Sequence, residues 1–417
     1  MSLHTLQQRC LREVMRLEKG KPPAQQPYYG PNAKGYLTPE YLRGGSHTEL
    51  VKASANAVRV RDGDVIILWD GSNAGEVLYG RNGILASTMS RISHSGEFNQ
   101  RYFFYSLKRS ESYLKGQTSG SGIPHVDKEI LGAVTIIEFN KPEQAKIAEV
   151  LSMVDRAIEQ TEALIAKQQR IKTGLMQDLL TRGIDEHGNL RSEETHEFKD
   201  SPLGRIPVAW EVKALNEIID EGITYGIVQA GPHVEGGVPY IRTGDMAGDA
   251  VNVATLLRTS RQIAKSYRRS AVSVGDLVFA LRATVGKVLP VTAELDGANL
   301  TQGTAKISPK KSVDSTFLLW AMQTSQVQGV IRLEQKGTTF MEITLGDLRT
   351  IRLALPKDKS EQGLIAQRLE QHDRLRREYV SQRNKLTSLK TALMQDLLTG
   401  KVRVTPLLEK EREAVTT

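Results

Sequence analysis

The heptapeptide LMQDLLT fills Leu175–Thr181 and returns, letter for letter, at Leu393–Thr399. Extended backwards, the match carries Glu143–Thr181 onto Glu361–Thr399 without a gap, with 17 of 39 positions identical. Self-similarity on this scale marks a duplicated structural unit and is read before any single motif. Both copies are dominated by Glu, Gln, Lys, Arg, Ala and Leu, residues that enter a helix at little cost. Pro142 suits a first helical turn, and Gly183 and Gly400 stand where helices stop. Apolar residues recur at spacings of three and four: Ile147, Leu151, Val154, Ile158, Ile165, Leu175 and Leu179, then Ile365, Leu369, Leu375, Tyr379, Leu386, Leu389, Leu393 and Leu397. That pattern is a coiled-coil seam, interrupted by polar residues such as Gln168, His372 and Gln382. The natural partner of each helix is the other.

The sequence outside the helices repeats more faintly. RDGDVIILWDGSNAGEV (61–77) answers SVGDLVFALRATVGKV (273–288), each reading as turn, apolar strand, turn, second strand. STMSRIS (87–93) answers QGTAKIS (302–308), and RYFFYSL (101–107) answers TFLLWAM (316–322). The Gly-rich turn GQTSGSGI answers QKGTTFMEI, and EVMRL (13–17) is set against EVKAL (211–215). From Leu17 to Gly63 is 46 positions, whereas from Leu215 to Gly275 is 60. A shared frame therefore carries two different inserts, the pattern expected of two recognition surfaces on one chassis. The expected fold class is α+β, two similar α/β globules and two long helices forming an antiparallel coiled coil, with a pseudo-twofold internal repeat. The expected limits are 1–141 for the first globule, 142–182 for its helix and 183–200 for a linker. The second globule takes 201–357, its helix 358–401, and a C-terminal tail 402–417.

A helix of about 39 residues is about 58 Å long. Two of them packed antiparallel would give a dumb-bell whose globules are held a set distance apart. One turn of B-DNA is about 34–36 Å, so such a coil could act as a ruler between two half-sites on a duplex.

Composition agrees. The chain has 417 residues, a net charge of +8 and a pI near 9.3, which permit a polyanionic partner. Cys10 is the only cysteine, so no intrachain disulfide can form and no zinc site can rest on a cysteine cluster. The opening MSLHTLQQRCLREVMRL lacks the apolar core of a signal peptide, and no apolar run is long enough to span a bilayer. The expectation is a cytoplasmic protein with no membrane partner.

The order globule, helix, globule, helix resembles the specificity (S) subunit of type I restriction-modification enzymes. ALMQDLLTGKVRV at the end of the second helix and SPLGRIPVAWEVKAL (201–215) are similar to that family's motifs, and the likeness runs to about Val404. The first half departs from it by lacking the Ile206, Pro207, Trp210 arrangement. The resemblance implies that each globule is a target recognition domain reading one half of a bipartite, asymmetric site in double-stranded DNA. It also implies two modification (M) methyltransferase subunits docked on the helices, with restriction (R) subunits joining for cleavage. S-adenosylmethionine, ATP and Mg would then belong to those partners, and this chain would be a non-catalytic subunit.

Catalytic motifs are missing from the sequence: there is no GxGxxG, no HExxH and no phosphate loop, and Gly286-Lys287 lacks the upstream glycine. Nor does an Asn/Asp-Pro-Pro-aromatic signature of amino-methyltransferases occur, and His125 and His233 have no metal-ligand company. The aromatic runs Tyr102–Tyr105 and Phe317–Trp320 read as buried helix faces. For phosphate contact the best segment is RTSRQIAKSYRR, with Arg258, Arg261, Lys265, Arg268 and Arg269 at helical spacings. Base-reading candidates are Arg282 and Thr284, with Ser72 and Asn73 opposite, then Gln117, Thr118 and Ser119 in one Gly-rich turn and Lys336, Thr338 and Thr339 in the other. Two competing readings are a coiled-coil assembly scaffold with no DNA role and a stand-alone DNA-modifying enzyme. DNA binding that weakens with salt excludes the first, and turnover by the purified chain alone is required by the second.

Overall fold

The structure is a computed structural model that describes residues 6–118, 123–337 and 341–416. The chain divides into two units: residues 1–163 with 380–417, and residues 164–379. The first long helix, Lys141–Leu179, and the second, Lys359–Leu397, are therefore each shared between the units. Each unit holds one globule, the N-terminal half of one long helix and the C-terminal half of the other.

In the first unit the Gly-Asp hairpin read from sequence is Val65–Leu68 with Val77–Tyr79. It belongs to an antiparallel sheet ordered Met15–Lys19, Met89–His94, Val65–Leu68, Val77–Tyr79. The insert builds a second sheet, ordered Leu50–Val51, Lys34–Leu37, Gly83–Leu85, Arg59–Val60, over its own small core of Leu37, Leu42, Val60, Ile66 and Leu85. Helix Gln100–Arg109 starts where the Asn99 side chain accepts from Arg101 N and Tyr102 N, and it buries Tyr102, Phe103, Phe104 and Tyr105.

The second unit repeats the frame. Leu277–Ala280 pairs with Val288–Pro290 and with Thr304–Ile307. Its insert forms a separate sheet of Arg258–Thr259, Val238–Ile241 and Asn299–Leu300. Helix Ser315–Met322 is capped by Asp314 and buries Phe317 to Met322. Gly75 and Gly286 close the two hairpins at φ +93° and +87°. A Cβ at Gly75 would come within 2.8 Å of the Lys115 backbone N, and at both glycines the positive φ strains any residue that carries a side chain.

One register from the sequence is corrected. The strand paired with the segment just ahead of the first long helix is Gln8–Cys10, on Thr135–Ile137, while Trp210–Ala214 pairs with Arg352–Pro356 ahead of the second. Leu11 N donates to Val134 O as Leu215 N does to Ile351 O, and both leucines are fully buried. Gln8–Cys10, followed by Leu11, is thus the counterpart of Val212–Ala214, followed by Leu215, and Glu13–Leu17 is not the counterpart of Glu211–Leu215. The shared Glu-Val pair was two letters in common, whereas backbone pairing sets the register. Within the segment expected as a tail, Thr405–Thr416 is helical and Lys146 pairs with Glu411 on it.

The seven-residue repeat has a structural meaning. Leu179 and Leu180 close the core of the second globule beside Trp210, Phe317 and Leu353, with Leu175 and Met176 packed against it. Leu397 and Leu398 close the core of the first beside Tyr102, Leu107 and Ile136, with Leu393 packed against it. Each helix starts in the core of the globule it follows, through Ile147 and Leu151 or Ile365 and Leu369, and ends in the core of the other.

Candidate nucleic-acid interface and helix sockets

The first turn of each long helix is socketed by the same two residue types. Gln144 donates to Phe139 O at 2.7 Å and accepts from Asn99 N at 2.6 Å, and Gln362 donates to Pro356 O at 2.8 Å and accepts from Asp314 N at 2.8 Å. Asn99 and Asp314 are the caps of the aromatic helices, so one amide ties three segments together. Beside them Glu361 is buried and accepts from Trp210 Nε1 at 3.0 Å, Ile184 N at 3.1 Å and Arg191 Nη2, its Oε2 partner, at 3.0 Å. Glu143, equally buried, accepts from Arg403 Nη2 at 2.6 Å and Thr405 Oγ1 at 3.1 Å. In both sockets the arginine comes from chain just beyond the end of the other helix. A buried carboxylate tolerates burial only with such charge-assisted partners.

Within each unit the two helices pair in opposite senses. In the first unit Asp155 meets Lys390 at 2.6 Å and Glu162 meets Arg383 at 4.0 Å. In the second Lys172 meets Asp373 at 2.8 Å, and the polar seam residues Gln168 and His372 face one another at 3.4 Å. Asp155 and Lys172 are the repeat equivalents of Asp373 and Lys390, so one Asp–Lys pair is used twice. Each lysine also lies over an aromatic ring, Lys172 4.5 Å from Trp320 and Lys390 5.8 Å from Tyr105. Burial works against ionisation of Asp373, but Lys172 and Arg376 outweigh it and hold the carboxyl below its ordinary value. Tyr105 is pushed well above the usual phenol range by burial and by Asp155, to which it donates at 2.6 Å. Along the seam Ile147, Leu151, Ile365, Leu369, Leu179 and Leu397 are buried, Val154, Ile158, Leu175, Tyr379, Leu386 and Leu393 are half-buried, and Leu389 is exposed.

The basic segment of the second globule is not one helix. Arg258 lies in a strand and donates to Gly237 O at 3.0 Å, and Ser260 caps a short helix Arg261–Ser266. Arg268 and Arg269 follow in a separate 3-10 turn. The cap and the break at Tyr267 defeat the helical spacing, yet Arg261, Lys265, Arg268 and Arg269 are all exposed and make no ion pair among the described residues. Of the base-reading candidates, Arg282 is tied to Glu342 at 2.6 Å and Lys336 to Asp347 at 3.0 Å, while Thr284 is exposed. Arg282 and Lys336 come together because both segments bridge to Glu342. Ser72 and Asn73 are exposed on the equivalent turn of the first globule, where Gly71 N donates to Pro124 O beyond the turn holding Gln117 and Thr118. Ser119, Thr338 and Thr339 lie outside the described residues.

Sequence reasoning passed over the insert of the first globule. It carries Lys21, Lys34, Lys52, Arg61 and Arg81 interleaved with tyrosines: Lys52 sits 5.7 Å over Tyr28, Arg81 4.9 Å over Tyr41, and Tyr29 is 80% exposed. The signal was present in PYYGPNAKGYLTPEY, an aromatic and basic mixture suited to nucleic acid.

A duplicated globule–helix frame with two unlike, cation-bearing inserts defines a bipartite binding protein. The family model described as "Type I restriction modification DNA specificity domain" matches residues 4–168 and again 207–387, and the chain belongs to that family. It is 32% identical over 381 residues to the specificity subunit of the type I restriction enzyme MjaVIII from Methanocaldococcus jannaschii, covering 88% of this chain and 86% of that one. It is 25% identical to the EcoBI specificity subunit from Escherichia coli, over 80% of this chain and 71% of the relative. The crystal structure of the S subunit from M. genitalium superposes with a TM-score of 0.62 at 16% identity, over 95% and 98% of the two chains, which establishes the shared fold.

Proposed function

We propose that this chain is the DNA sequence-specificity subunit of a cytoplasmic type I restriction-modification complex. Each globule reads one half of a bipartite, asymmetric duplex site, and the paired helices set the gap and dock two M methyltransferase subunits. R subunits join for cleavage, and S-adenosylmethionine, ATP and Mg are bound by those partners. The observation that carries this reading is the frame itself: two sockets built on the same Glu-Gln pair and two equivalent Asp–Lys pairs hold inserts that differ in sheet and in cation placement. Scaffolds have no need of unlike inserts, and the free cations of both inserts fit phosphate neutralisation.

The test is mapping of adenine methylation in cells with and without this chain, together with co-purification of a methyltransferase. Marks at a split motif that vanish on deletion are expected; unchanged marks would overturn the reading. In DNA binding by the assembled complex, Arg268→Ala with Arg269→Ala is expected to lower the log–log salt slope by about 1–2, with equal losses on all sequences.

A further inference from the structure

In the second globule a notch of 560 Å³ is lined by Glu221, Gly222, Thr224, Arg268, Arg269 and Lys306. Its walls are cationic, yet a carboxylate stands at its mouth. Glu221 Oε2 accepts from Lys306 Nζ at 2.6 Å, and no partner of Oε1 occurs among the described residues. The two side chains differ in exposure: Lys306 is 9% exposed and Glu221 63%. Lys306 lies on the sheet strand Thr304–Ile307 and works as an anchor, while the carboxylate faces solvent. The backbone around Glu221 is pinned on both sides. Asp220 N donates to Ser308 O at 2.9 Å, Ile223 is fully buried, and Ile223 O accepts from Arg349 Nη2 at 2.5 Å. Arg268 and Arg269 form no ion pair with Glu221 or with any other described residue, so their charge is directed outward.

The first globule holds a related pair, in which the carboxylate comes one position further along the strand, Glu18 falling at the place of Gly222. Arg91, the repeat equivalent of Lys306, grips Glu18 through both Nε and Nη2 and also reaches Asp64 at 3.3 Å. Both contacts fall on Glu18 Oε2, so Oε1 of that carboxylate has no partner among the described residues either. In the second globule one oxygen is likewise free, and there it lines a notch with two arginines that make no ion pair among the described residues.

Resting on the proposed DNA-reading role, we infer that this notch is a base-reading subsite for cytosine, in which Arg268 and Arg269 hold a backbone phosphate and Glu221 Oε1 accepts a hydrogen bond from cytosine N4. A carboxylate repels the phosphates of any duplex, so its place on a DNA-facing surface demands a donor on the base edge. In the major groove cytosine N4 is flanked by the apolar C5–H on one side and the paired guanine's O6 on the other, whereas adenine N6 stands between two acceptors, its own N7 and thymine O4, which would push the second oxygen away.

The assay is methylation-motif mapping in cells expressing the whole complex, with the isosteric Glu221→Gln. The expected result is relaxation at one cytosine of one half-site, with discrimination there falling about 5- to 150-fold, and all other letters unchanged. Arg268→Ala should instead weaken binding to all sequences alike. An unchanged motif with Glu221→Gln, while deletion of the chain erases methylation, overturns this assignment and leaves the DNA-reading role standing. Methylation indifferent to deletion overturns both. If Glu221→Gln abolishes marking, Glu221→Asp decides: marking restored with the original letters supports the subsite, and marking with altered letters elsewhere, or none, refutes it.

Discussion

Removing the charge of Asp373 tests the claim that one Asp–Lys pair, used twice, stabilises the two units unequally. The Asp373 side chain is 6% exposed and that of Lys172 13%, against 28% and 22% for Asp155 and Lys390. Asp373 also accepts from Arg376 at 3.1 Å and from Arg377. In Asp373→Asn, Arg376 keeps Asp249 at 2.7 Å, but Lys172 keeps only a neutral amide oxygen and the face of Trp320. Breaking a buried pair by removing one partner costs about 3–5 kcal/mol, and the residual exposure of Lys172 argues for about 3. Asp155→Asn should cost no more than about 1 kcal/mol, because its pair is partly solvated and Tyr105 can still donate to the amide oxygen. The probe is urea unfolding followed by tryptophan fluorescence in a Trp69→Phe background, which leaves Trp210 and Trp320, both in the second unit. With m of about 2–3 kcal/mol per M, the midpoint should fall by about 1–1.5 M at pH 7. The pH dependence has a definite sign. The folded carboxyl lies below its ordinary value, so its contribution is complete above about pH 4 and fades as pH drops through the folded value. The gap between variant and parent should therefore close under acid conditions. A midpoint shift under about 0.3 M at pH 7, or an equal loss of stability in the first unit for Asp155→Asn followed by hydrogen exchange, would refute the reasoning.

Leu179→Ala should destabilise the second globule and Leu397→Ala the first, each by about 2–5 kcal/mol, although each leucine ends the helix that follows the opposite globule; hydrogen exchange resolved by unit checks this. Glu361→Gln should lower stability by about 3 kcal/mol through Arg191 and Trp210, and more than Glu143→Gln, whose Arg403 is 40% exposed, as a paired thermal melt would show. Truncation after Lys401 removes Val404 from the first core and Arg403 and Thr405 from Glu143, so protease susceptibility should rise in residues 6–118 while the second unit stays protected.

Much of this protein was legible in its letters. The two long helices, the Gly-Asp hairpins and the buried aromatic faces follow from local periodicity and turn chemistry, which act over a few residues and are written in order along the chain. Duplication added a second reading of the helices, so the leucines of Leu175–Thr181 and Leu393–Thr399 stood out before any contact was known. Tertiary structure decided which copy closes which core, because antiparallel pairing carries the last leucines of each helix to the globule that it does not follow. It likewise decided that Arg282 and Lys336 are bound in ion pairs while Arg268 and Arg269 are free. Those assignments depend on what lies opposite a side chain at a separation of 60 or 11 positions, where spacing along the chain carries no information about distance in space.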